Sequence, residues 1–334
     1  MDTTFIVTAI LCVGIAFLIF FLIKKVIIPQ RSASNANMQD KKVINQAIRN
    51  AKAAIEKDPQ NVEAHYLLGK AFLSDQREEL AFREYRTASR MGIEGKNIPE
   101  IEFRETLASL YAKFNEEEEA LKEYIYLIKK NPSNPEYFYR SGLLFSSRGR
   151  ADRAEQYHSK AASLNPREGR YRVELGITYY NAKKIAEAGT EFEAALKLNS
   201  QDGRALLYMG KVLKDGKNFS AALPFLEKAS REQEFKLKAL VELGGCYMSL
   251  RMLDKAIMEL ERAVNCIEKD SELDSLYARY FLAMCYERTQ EFRKAVGHWE
   301  KIYAQKKNFR DVGEKLTQYI DYRQTEGNET RSRK

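Results

Sequence analysis

The chain of 334 residues is poor in the residues that build reactive or cross-linked sites. It has four cysteines, three histidines and one tryptophan. Cys12, Cys246, Cys266 and Cys285 form no C-x-x-C pair, which argues against a zinc site or a redox dithiol and leaves them as free thiols. His65, His158 and His298 lie far apart and sit in no metal-ligand spacing. No phosphate-cradling glycine loop and no nucleophile elbow occurs, so catalytic, cofactor and metal sites are all expected to be absent, and the chain reads as a non-enzyme. Only 7 prolines and 17 glycines interrupt the chain, which favours long runs of helix. The 47 acidic residues do not balance 55 basic ones, giving a net charge of +8. No clustered basic-aromatic motif accompanies that excess, so nucleic acid is not an expected partner.

What is present is periodic. In the stretch from Gly169 to Ser200, Leu175 and Tyr179 lie four apart, and Ala188, Phe192 and Ala195 follow at i, i+4 and i+7. Each set falls on one face of a helix, so two amphipathic helices joined by a polar turn are predicted. Small residues at Gly176, Ala188 and Ala195 allow the two backbones to approach, with Phe192 filling the space between them. The pattern recurs from Ala47 to Trp299, with copies starting at Val62, Ile101, Pro135, Gly169, Gly203, Leu237 and Leu276. A half-copy precedes them, marked by Ala47, Ala51, Ala54 and Pro59. Two intervals are about five residues longer, around Gly92–Pro99 and Cys266–Asp274, where insertions between units are expected. The third copy departs from the pattern by carrying Ser141 and His158. His65 and His158 both fall at core positions and are read as packing residues.

This Leu-Gly, Tyr, Ala, aromatic, Ala, Pro pattern resembles the tetratricopeptide repeat (TPR), a 34-residue helix–turn–helix unit. The resemblance implies an all-α fold, a right-handed α-solenoid of TPR helix hairpins, and a function in binding a protein or peptide segment. Its register assigns the partner-binding groove to the first helix of each unit: Tyr66, Lys70, Glu105, Tyr139, Leu143, Val173, Ile177, Tyr180, Leu207, Lys211, Val241, Met248, Tyr280 and Met284. That groove is expected to be apolar and aromatic with scattered charge. Some members of the family clamp the acidic C-terminal tail of a chaperone with a lysine–asparagine–lysine–arginine set. The corresponding places here hold Tyr66, Lys70, Thr106, Glu136 and Arg140, so a chaperone tail is not an expected ligand.

Before the repeats, Thr4–Ile23 is uncharged and about 20 residues long, enough as a helix to cross a ~30 Å hydrocarbon core. Residues 1–25 are accordingly predicted to be one N-terminal transmembrane helix that is not cleaved. Lys24, Lys25, Arg31, Lys41 and Lys42 follow it, which places the repeats on the cytoplasmic side of a bacterial-type inner membrane; the periplasmic side is the alternative. Residues 26–41, with Pro29 breaking the helix, are expected to form a flexible linker, and 42–308 the repeat array. At 309–322, Phe309, Val312, Leu316 and Tyr319 share one face of a predicted capping helix. The polar tail 323–334 is expected to be disordered.

The layout as a whole reads as a membrane-anchored scaffold for protein–protein interaction. An assembly component of an envelope machine, such as a secretion system or a flagellar motor collar, is the alternative. The layout is also similar to that of the membrane-anchored TPR proteins that regulate lipopolysaccharide assembly, although the paired cysteines of their rubredoxin-like metal domain have no counterpart here.

Overall fold

A computed structural model describes residues 28–268 and 272–319, with side chains from residue 40. Among the described residues every regular element is a helix and there is no strand. Contacts divide the chain into two compact units, residues 1–131 and 132–334.

The first unit opens with α1 (Ile28–Lys57) and continues through two hairpins, α2 (Val62–Ser74) with α3 (Glu78–Met91) and α4 (Glu100–Lys113) with α5 (Glu117–Lys130). The second unit stacks α6 (Pro135–Ser147) on α7 (Ala151–Leu164), α8 (Gly169–Asn181) on α9 (Ile185–Leu198) and α10 (Gly203–Asp215) on α11 (Phe219–Ala229). Two more pairs follow: α12 (Gln233–Ser249) with α13 (Leu253–Asn265), and α14 (Leu273–Arg288) with α15 (Phe292–Gln305). The first helices α12 and α14 begin about one turn before the positions expected from the sequence pattern. A further helical stretch occupies 312–319.

Helix α1 corrects the expected linker. It runs unbroken through residues 28–41. Pro29 does not break it because it stands in the first turn, where a backbone N–H has no partner within the helix anyway. The predicted membrane span, residues 4–23, lies outside the described residues, as do 320–334. Among the described residues no helix is long and apolar enough to cross a membrane.

The turn inside each hairpin is built the same way. One residue adopts the left-handed conformation: Gln76 and Asn115 in the first unit, then Gly149, Lys183, Lys217, Arg251 and Gln290 in the second. The residue after it returns its N–H to a carbonyl five residues back, as Lys184 does to Tyr179 at 2.9 Å and Asn218 to Leu213 at 2.8 Å. From Gly149 to Arg251 these turns fall exactly one repeat apart. The two intervals that are five residues longer, Gln76 to Asn115 and Arg251 to Gln290, contain the insertions foreseen from the sequence. The first of these tucks Ile93 and Ile98 into the core, which anchors the extra residues.

Each hairpin crosses where a small residue of the first helix, glycine in five of the seven, lies beneath a large side chain of the second. A Cβ on Gly176 would sit 2.7 Å from the Phe192 ring, on Gly210 2.4 Å from Leu226, and on Gly244 2.4 Å from Leu260. Gly69 lies beneath Tyr85 and Gly142 beneath His158 in the same manner. Ala108 with Tyr124, and Ala283 with Trp299, take the equivalent places in the second and seventh repeats. At these crossings Phe192, Leu226, Leu260 and Trp299 are fully buried. Burying each such side chain contributes about 1.5–3 kcal/mol, and this term holds the hairpins closed. At the end of the second unit Phe309, Val312 and Tyr319 are buried, and Tyr319 stacks on Trp299 at 5.4 Å between ring centroids.

Candidate functional site

Within the second unit, first helices also touch first helices: α6 meets α8, α8 meets α10, α10 meets α12 and α12 meets α14. Successive second helices make no comparable contact among the described residues. Hairpins that approach more closely on one side than on the other fan outward, so the first helices line the inner side of this stack.

Polar bonds between neighbouring first helices stitch that side together. Tyr171 donates to Glu136 at 3.1 Å, and Arg170 and Arg140 both bond the same carboxylate, at 2.8 and 2.7 Å. Arg204 pairs with Glu174, which is only 4% exposed. Burial pushes the Glu174 carboxyl above its ordinary value, against the pull of Arg204. Tyr180 donates to Asp215 at 2.7 Å. Lys214 bonds Glu242, and Lys211 stands 4.0 Å from the same residue while lying over both the Tyr180 and Tyr208 rings. Tyr280 donates to Asp311 at 2.7 Å. In the first unit Lys70 donates to Glu102 at 2.9 Å, and that bond raises the Lys70 pKa.

The ladder alters the expected picture of the groove. Tyr66, Ile177, Leu207 and Tyr280, together with Val173 and Val241, are buried. They fill space between helices, and in the second unit this follows from first helices packing against one another as well as against their own partner helices. Tyr66, for example, lies edge-on to Tyr85 and tilted against Phe103. Lys70, Glu105, Tyr139, Leu143, Tyr180, Lys211, Met248 and Met284 keep part of their surface in solvent. Their face is polar as well as aromatic. Tyr139 lies between Arg140 and Arg170, with its ring 5.9 and 5.2 Å from their guanidinium carbons.

Sequence reasoning missed Arg170, Arg204, Tyr208, Lys214 and Glu242 on this face. Their signal was available in principle, since opposite charges recur 28–34 residues apart on successive first helices. The histidines carry no ligand geometry: His65 bonds Glu84 at 2.6 Å and His158 is fully buried. Among the described residues no group of three or more His, Cys, Asp or Glu side chains could hold a metal ion. Burial pushes the Cys246 and Cys285 thiols up to about 11, so they are protonated and inert at neutral pH.

A profile of the tetratricopeptide repeat family matches residues 44–92, 106–169, 149–203 and 173–236, more than half of the chain. A search of curated proteins finds no match. Among solved structures, the crystal structure of the APC/C hetero-tetramer Cut9-Hcn1 is similar, with a TM-score of 0.59 at 17% identity over 82% of this chain. This chain covers 52% of that one, about half its length. A tetratricopeptide repeat protein from Parabacteroides merdae gives a TM-score of 0.57 at 15% identity, covering 81% of this chain and 98% of its own. PilF of Pseudomonas aeruginosa gives 0.50 at 19% identity, covering 64% and 94%. At such identities the likeness is one of fold. The recurring left-handed turns and the small residue beneath each crossing agree with the profile match, and the chain belongs to the tetratricopeptide repeat family.

Proposed function

We propose that this chain is a membrane-tethered scaffold that holds a protein segment against the inner face of its second unit. The observation that carries this reading is the surface left over once the ladder is formed. Tyr139, Leu143, Tyr180, Tyr208, Met248 and Met284 are half-buried, and the three tyrosines lie beside the cations Arg170 and Lys211. Rigid aromatic rings and adaptable methionines give contact area at little entropic cost, and the flanking charges set orientation. Residues 4–23 supply the tether, and the lysines and arginine that follow keep the repeats on the cytoplasmic side.

A photo-crosslinking residue placed at Leu143 or Met248 of the full chain in cells should capture one discrete protein. The same residue at Met258, which is exposed on the second helix α13, should not. Equal capture at both places, or none at either, would end this reading. Protease added to spheroplasts should leave the repeats intact; their digestion would reverse the proposed orientation.

A further inference from the structure

The array begins and ends on half a hairpin. Helix α1 carries Ala47, Ala51 and Ala54 at the spacing of Ala188, Phe192 and Ala195, so it is a second helix. Among the described residues no first helix stands before it. The stretch 312–319 is a first helix, and among the described residues no second helix follows it. Its register is fixed by one bond. Tyr280 donates to Asp311 at 2.7 Å as Tyr66 donates to Glu102 at 3.4 Å, and both tyrosines stand three residues before the small residue of their crossing. Asp311 therefore corresponds to Glu102, and Thr317 to Ala108, the small residue of the second crossing.

The seat that a first helix would take beside α1 is open. A groove of about 560 Å³ runs between α1 and α2, lined by Val43, Ala47 and Ala51 from one and by Leu67 and Ala71 from the other. Val43 is 65% exposed and Leu67 55%. Leu67 stands two residues before the small residue of its crossing, the place of Tyr208 and Glu242 in later repeats. Those two reach back to the preceding first helix: Tyr208 lies edge-on to Tyr180, and Glu242 bonds Lys214. Leu67 is placed to do the same and meets solvent instead. Side-chain sizes at the two ends are complementary. In the complete hairpins a glycine or alanine of the first helix faces a large residue of the second. The half-hairpins exchange these roles, with Ala51 in the place of Phe192 and Thr317 in the place of Gly176. Next to Thr317, Gly313 and Leu316 are only half-buried and line an opening of about 320 Å³ against Tyr303 of α15.

We propose that the terminal first helix of one copy of this chain seats in the groove between α1 and α2 of another, so that two half-hairpins close into a whole one. The contact prolongs the packing that already joins hairpin to hairpin in the second unit, and this chain itself carries a first helix whose second-helix face is uncovered. Because front binds back, further copies can add, and the assembly is a ring or a filament. Along the chain Glu174 meets Arg204 and Glu136 meets Arg170. The same register sets both Lys315 and Asp311 opposite Glu63, one attracting and one repelling, so apolar contact carries the junction. This contact does not depend on what the inner face of the second unit binds.

Disulfide trapping on the full chain in detergent micelles tests this. In the first complete hairpin a Cβ on Gly69 would lie 3.5 Å from the Ala81 carbonyl oxygen. Thr317 and Ala47 hold those two places in the half-hairpins, and both are exposed. An Ala47→Cys variant mixed with a Thr317→Cys variant should give, on mild oxidation, at least about tenfold more linked dimer than either variant alone. The double variant should give a ladder of dimers, trimers and larger species. Adding Leu67→Glu, at a position already exposed, should leave helicity unchanged and abolish both results. No link in the mixture, as much dimer from Ala47→Cys alone as from the mixture, or a yield that Leu67→Glu leaves unaltered would each overturn the proposal. So would an Ala47→Cys chain that stays monomeric and bonds its own Cys12, since residues 4–23 would then fill the seat.

Discussion

The third and fourth repeats perform the same crossing with different chemistry. In the fourth, Phe192 closes over Gly176 and is fully buried, and nothing polar is asked of the contact. In the third, His158 takes that place over Gly142. Its Nδ1 lies 2.9 Å from Thr178 Oγ1, and the Thr178 hydroxyl donates its own proton to the Glu174 carbonyl at 2.8 Å. Thr178 must then accept from Nδ1–H, which leaves Nε2 as a buried lone pair with no donor. Desolvation holds the imidazole down at about 4 from an ordinary 6.5. The comparison teaches that one steric slot can be filled by an apolar ring that is indifferent to pH or by a ring that must stay neutral.

The largest break in that comparison comes from emptying the apolar slot. Phe192→Ala should destabilise the second unit by about 3–5 kcal/mol, from lost transfer energy plus a cavity that the glycine below cannot fill. A chemical-denaturation midpoint that hardly moves would show that the crossing is not held by this ring.

Acid separates the two repeats next. The folded pKa of His158 is depressed, so its contribution is present above pH 6.5 and is lost as the pH falls toward 4, because the unfolded chain takes up the proton first. The shift corresponds to about 3 kcal/mol at most. His298, also held at about 4 by burial, adds to the same window. Glu100, kept low by Tyr126 and Arg104, protonates only below its ordinary 4.5, whereas Glu174, raised by burial, takes up its proton earlier when folded and opposes the histidine's loss in the same range. His158→Phe should visibly shrink the loss of stability between pH 6.5 and 4.5. An identical loss in wild type and variant would mean that His158 is not the titrating group.

The smallest effect is steric. A Cβ on Gly142 would lie 2.1 Å from the His158 ring, closer than the 2.7 Å at Gly176 and Phe192. Gly142→Ala should cost about 1–2 kcal/mol after the roughly 1 kcal/mol that alanine returns in helix propensity, with Gly176→Ala costing less. The reverse order in thermal unfolding would show that the imidazole yields more readily than the phenyl ring.

The sequence showed the register of these repeats because local spacing determines it. Leu175, Gly176, Tyr179 and Phe192 report one hairpin without reference to any other. The inner face could not be read that way. Whether Tyr180 is open and Ile177 closed depends on how far the next hairpin leans in, and the bonds that decide this, such as Tyr180 to Asp215 and Arg204 to Glu174, join residues about a repeat apart. Composition misled at residues 28–41, where a proline and a polar run resemble a flexible joint. A proline in the first turn starts a helix as well as it ends one, and α1 continues to Lys57.

One consequence follows from the evenly spaced turns. Because Gly149, Lys183 and Lys217 sit in interchangeable places, excising residues 169–202 would splice α7 to α10 through the same kind of joint that already leads from α7 into α8. The joint would not be new to the chain, although His158 would lose Thr178 and Arg204 would lose Glu174. A molecule assembled this way can lengthen or shorten by whole increments while the steric contact that closes each remaining hairpin, such as Leu226 over Gly210, stays within that hairpin, so its reach can vary separately from its grip.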